Sequence, residues 1–124
     1  MVPTVKVCQD FVQGDSFDMV ISHNPGFDIT AAVFELTLSK IEGGDPILSV
    51  EYTVPNDLDS ADGKATVPVL SAKTSLVSPG KYFASLKRTL AGGEVKTILR
   101  SGTRTGDGSL VKKVEVYKNL DITP

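Results

Sequence analysis

Apolar and polar residues alternate with a period of two along much of the chain. Phe17, Met19 and Ile21 alternate with Asp18, Val20 and Ser22, and Ala32, Phe34, Leu36 and Leu38 alternate with Val33, Glu35, Thr37 and Ser39. That period puts every second side chain on one face of a strand, so each run predicts a half-buried strand. Helix competes over 32–39, but the β-branched Thr30, Val33 and Thr37 and the following Glu42-Gly43-Gly44-Asp45-Pro46 turn favour strand. Leu48, Val50, Tyr52 and Val54 then resume the alternation, and two such strands joined by a short loop predict a hairpin.

The same period recurs later. Ala65, Val67 and Val69 predict a strand that contains Pro68. Proline cannot donate to a ladder, which places this strand at a sheet edge. If 47–54 pairs with 30–39 and joins the sheet of the later strands, the Pro68 strand is left at the edge of the other sheet. Tyr82, Ala84 and Leu86 form the next row, and Ala91-Gly92-Gly93 turns the chain into Val95, Thr97 and Leu99 as a second hairpin. At the start, Val5 to Val12 is one apolar segment that ends at Gln13-Gly14-Asp15. At the end, Ser101 to Ser109 is a flexible-looking loop with three glycines, and Leu110 to Tyr117 alternates once more, Val114 and Val116 on one face.

Between these rows, Thr74-Ser75-Leu76-Val77-Ser78-Pro79-Gly80-Lys81-Tyr82 resembles the tyrosine corner of an immunoglobulin-like β-sandwich, where the chain crosses between sheets and the Tyr hydroxyl bonds nearby backbone. On this reading Leu76 plugs the end of the core, Pro79 presets φ, Gly80 accepts a positive φ, and Tyr82 begins a strand. The predicted fold is all-β: an immunoglobulin-like, fibronectin type III-like β-sandwich of about seven strands. The sandwich occupies 1–108, with a C-terminal strand or assembly arm over 109–124.

A chain of 124 residues with 40% hydrophobic content suffices for one core without a metal or a disulfide. The single cysteine, Cys8, excludes an internal bridge and reads as a small strand residue. The first ten residues lack an apolar run of the kind a signal peptide needs, and no run approaches the roughly 18 residues of a membrane span. The net charge of −2 hides an asymmetry: residues 1–62 hold two basic and eleven acidic side chains (−9), and residues 63–124 hold eleven basic and four acidic (+7). Two explanations follow. Strands from the two halves interleave and pair their charges, or opposite poles steer subunits together. Nucleic acid is a poor partner, because the excess is acidic and the basic half offers only Tyr82, Phe83 and Tyr117 for stacking.

Chemistry-bearing residues are sparse. His23, the only histidine, lies in the turn signal His23-Asn24-Pro25-Gly26 and is expected to be exposed. Asn56 to Gly63 carries three carboxylates, but an EF-hand loop beginning at Asp57 fails at Ala61, Asp62 and Pro68, so a solvated acidic loop is expected. There is no Gly-x-Ser-x-Gly elbow, zinc spacing or phosphate loop. No catalytic, cofactor-binding or metal residue is predicted.

In order along the chain, Gln13-Gly14-Asp15-Ser16-Phe17, Phe27-Asp28-Ile29-Thr30, Thr74-Ser75-Leu76 with Pro79-Gly80-Lys81-Tyr82, and Thr97-Ile98-Leu99 running to Gly102 resemble small immunoglobulin-like domains of tailed-phage structural proteins. The resemblance covers roughly residues 9–105 and departs from the pattern after Gly102. It implies a non-enzymatic component of the virion tail, baseplate or neck, assembled in the host cytoplasm with copies of itself and other virion proteins, without nucleic acid or membrane. A capsid-decorating protein, or a module that binds carbohydrate or a host surface, is the alternative.

Overall fold

The alternating runs form two sheets. The structure, a computed structural model, describes residues 4–6, 10–23, 26–102 and 110–118. In chain order the strands are β1 (Thr4–Lys6), β2 (Phe11–Val12), β3 (Phe17–Ser22), β4 (Val33–Ser39), β5 (Pro46–Thr53), β6 (Lys64–Val69), β7 (Gly80–Thr89), β8 (Val95–Arg100) and β9 (Val114–Tyr117). Two single-turn helices, α1 (Leu58–Ala61) and α2 (Ser71–Thr74), flank β6. The fold is all-β in its framework.

One sheet has the order β1-β3-β6 and the other β2-β9-β7-β4-β5, with β8 pairing β7 beside β9. The hairpin expected of 30–39 and 47–54 is present as β4–β5, in which Leu36 faces Val50. Among the described residues β6 pairs only with β3, so Pro68, opposite Asp18, lies in an edge strand as its missing N–H requires. First-half and second-half strands interleave: β4 runs between β5 and β7, and Glu35 lies opposite Lys87.

A single hydrophobic cluster draws on both sheets. Met19, Ile21, Val67 and Val69 come from the smaller sheet, and Phe34, Leu36, Leu38, Leu48, Tyr82 and Leu86 from the larger. Tyr82 is fully buried and its hydroxyl donates to the Ser78 carbonyl at 2.5 Å, the local bond expected from the spacing. Gly80 has a positive φ of 151°, and a Cβ there would stand 2.9 Å from the Lys40 ammonium.

The structure corrects four expectations. Leu76 does not plug the core: it is 75% exposed, and Val77 is the buried residue, because the α2 turn rotates the chain by one position before the crossing. The first apolar segment is two strands that belong to different sheets, β1 against β3 and β2 parallel to β9. The solvated acidic loop expected over 56–63 contains a capped helical turn, Leu58–Ala61, in which Ser60 is buried. In β8 the buried residue is Ile98, while Val95 is exposed. The register shifts between Leu86 and Lys87, which face Leu99 and Thr97, so Ile98 is the extra residue and the inward phase changes there. Cys8 lies outside the described residues.

The C-terminal segment joins the larger sheet of its own chain. β9 pairs antiparallel with β7 and parallel with β2, and Val114 and Val116 are buried. The end of β8 is tied to the approach of β9 by the Gly102 N–H, which donates to the Val111 carbonyl at 2.8 Å.

Candidate functional site

The end of the molecule where β3 finishes and β4 begins gathers the polar groups that the strand pattern does not explain. Its loops are tied by backbone. The Ile29 N–H donates to the Ser60 carbonyl and the Ala31 N–H to the Val54 carbonyl. The Gly26 N–H donates to the Asp62 carboxylate at 3.0 Å. Asp57 caps α1 by accepting from the Ser60 N–H, while the Ser60 hydroxyl accepts from the Asp57 N–H, so two orphan donors of the helix start are satisfied together. Asp28 accepts from both the N–H and the hydroxyl of Thr30, and these bonds hold its carboxyl below the usual range.

His23 is half-buried at this end, against the expectation of an exposed turn residue. Its ring stacks on Phe27, with centroids 5.3 Å apart, and leans on Phe34. Nδ1 donates to the Gly63 carbonyl at 2.9 Å, which leaves Nε2 as the acceptor nitrogen. Burial lowers the pKa of the imidazole; the Gly63 bond opposes that shift and the Arg88 charge adds to it.

Arg88 is the residue that sequence reasoning missed. It continues the inward row Tyr82, Ala84, Leu86 and faces Phe34 across the β4–β7 ladder, so it is only 4% exposed. The phase of β7 itself carried the signal: position 88 has the parity of 82, 84 and 86. Its guanidinium lies 5.3 Å from the Phe27 centroid and reaches Glu94 at 3.5 Å. Arg88 Nε and His23 Nε2 are both buried without a hydrogen-bond partner. Phe27 is thus held between a buried cation and an imidazole, an arrangement that fixes the 26–30 loop on the core.

Beside this end a cleft of about 260 Å³ opens among β3, β6, the end of β5 and α1, with Val20, Tyr52 and Val54 as its apolar walls and Asp57, Asp59 and Lys64 at its polar ones. Lys64 lies 3.8 Å from Asp62. The three carboxylates of 56–63 are therefore occupied separately, as cap, exposed side chain and ion pair. Among the described residues no three His, Cys, Asp or Glu side chains gather as a metal group, and no helix is long and apolar enough to cross a membrane. The arrangement offers surfaces for docking: a braced loop end that displays Leu58, 90% exposed, and two strand edges beside a cleft.

In comparisons with known proteins, no family model and no curated protein matches this chain.

Proposed function

We propose that this chain is a non-enzymatic structural subunit of a tailed-phage virion, of the tail, baseplate or neck, built on an immunoglobulin-like β-sandwich and acting through symmetric protein–protein assembly. The observation that carries the reading is the strand arrangement. β5 joins the sheet of the later strands, β6 is left at the edge of the other, and Tyr82 bonds Ser78 at the crossing. This arrangement supports the fibronectin type III-like order expected from the Pro68 edge strand and agrees with the resemblance of residues 9–105 to phage immunoglobulin-like domains. A domain of this kind works by presenting rigid faces and edges to neighbours, and sheet edges accept partners through main-chain hydrogen bonds.

The test is composition of the particle. In density-purified virions from the source of this gene, mass spectrometry should recover peptides of this chain in fixed ratio to the major capsid protein. Recovery only from the soluble lysate would overturn the reading.

A binding module, for a host surface or another protein, is the second reading, and the exposed Leu58 on the braced α1 turn favours it. In that case the purified chain should bind host envelope fractions, and Leu58→Ser should abolish the binding.

A further inference from the structure

We infer that copies of this chain associate side to side, the β5–β6 side of one receiving the β8–β9 side of the next. The inference rests on the reading of the chain as an assembling subunit and identifies the two surfaces that meet.

The receiving side has unpaired main chain. Among the described residues β5 is bonded only to β4 and β6 only to β3, so each presents one edge without a strand beside it, and the cleft lies beside both. Its charge is negative: Glu51 is exposed on β5, Asp57 at the N-cap of α1 and Asp59 within it, while Lys64 is held by Asp62. The apolar part is Val20 and Tyr52 within the cleft.

At the other edge of the six-stranded sheet the sign reverses. Lys96 on β8 and Lys112, Lys113 and Lys118 around β9 are exposed; they outnumber the acids of this side, of which Glu94 is engaged by Arg88, Glu115 is half-buried on β9 and Asp10 accepts from the Glu115 N–H. The ammonium of Lys113 stands 4.4 Å from the Phe83 ring centroid, which holds that charge in place on the sheet. The −9/+7 asymmetry of the chain thus acquires a location. The first half supplies β5 at one edge of the larger sheet, with α1 nearby, and the second supplies β8 and, one strand inside the short β2, β9 towards the other edge. The two ends of the molecule do not show this contrast, because the end opposite the braced loops mixes Asp15, beside Thr74, and Glu42 with Arg100 and with Lys40 over Tyr82. Two different surfaces that complement each other make a heterologous contact, which closes into a ring when the rotation between copies divides the circle. Opposite charge steers the approach, and the open edges and the cleft supply the contact area.

Charge exchange tests the pairing on the full chain. By light scattering and sedimentation, Asp59→Lys and Lys113→Glu should each weaken self-association at least about tenfold, and the double variant should recover most of the loss. Lys112→Glu repeats the test away from the Phe83 contact. Both Asp59 and Lys113 are exposed, so denaturation midpoints near the parent's confirm that the fold is intact. Self-association indifferent to the single exchanges, or a double variant no better than the singles, overturns the pairing; virion recovery of the chain would then still support the assembly role. A chain that stays monomeric at every concentration overturns the pairing as well.

Discussion

Ser101 and Ala84 exchange two hydrogen bonds of different kinds. The Ser101 N–H donates to the Ala84 carbonyl at 2.9 Å, and the Ala84 N–H donates to the Ser101 side-chain oxygen, also at 2.9 Å. The hydroxyl stands where a ladder carbonyl would be, at the point where β8 has ended and β9 has not begun. Its own proton goes to the Lys112 carbonyl at 3.1 Å, so one side chain joins β7 to the segment that leads into β9. Ser101→Ala leaves the buried Ala84 N–H without an acceptor and should destabilise the protein by about 1–3 kcal/mol. Urea unfolding at an unchanged midpoint would show that the junction is held by other bonds.

The Tyr82 hydroxyl is the only part of that side chain that Phe cannot supply. Tyr82→Phe keeps the buried ring and the Lys40 ammonium above it, 4.7 Å from the centroid, and loses the bond to Ser78. A loss of about 1 kcal/mol or more in chemical denaturation is expected. Equal midpoints and slopes would remove the hydroxyl from the account of the crossing.

Ala31 has a φ of 64°, the left-handed region, while its N–H is committed to Val54. An L-residue with a Cβ carries strain of about 1–2 kcal/mol there, part of which glycine returns as extra freedom of the unfolded chain. Ala31→Gly should therefore stabilise by about 0.5–1 kcal/mol, read as a higher melting temperature. Ala31→Val, with a branched Cβ in the same conformation, should lower it.

His23 ties stability to pH. Burial depresses its folded-state pKa below the usual 6.5, with the Arg88 charge adding to the effect, so the unfolded chain binds the proton more readily. The contribution of neutral His23 is fully present above the unfolded pKa and is lost as pH falls through the lower folded value. Denaturation midpoints should drop below pH 6.5, and His23→Gln should flatten that drop in the range just below 6.5. An unchanged slope in the variant would place the acid sensitivity on the carboxylates, of which Asp28 titrates lower still.

The strands were legible because a half-buried sheet leaves a period of two in the sequence. The rows 17–21, 32–38, 48–54, 65–69, 82–86 and 114–116 all face the core or its rim as their phase requires. Pro68 also announced its edge position, since a missing N–H is a local property. Leu76 and Val77 show where that reasoning stops: a single helical turn changes which neighbour points inward, and nothing in the pair's own composition chooses between two apolar residues. Ile98 was hidden in the same way by a register shift that belongs to the pairing of two strands. His23 and Arg88 are polar, so sequence pattern sent the histidine to solvent and passed over the arginine. Phe27 and Phe34 from the following loop and strand, with Gly63 forty residues on, cover the histidine, while the arginine follows the inward phase of its own strand against Phe34 and Phe27. Local periodicity determined which face of each strand is apolar. Long-range packing decided which polar groups close the end of the core and which sheet edges remain open, because those depend on contacts between residues far apart in sequence.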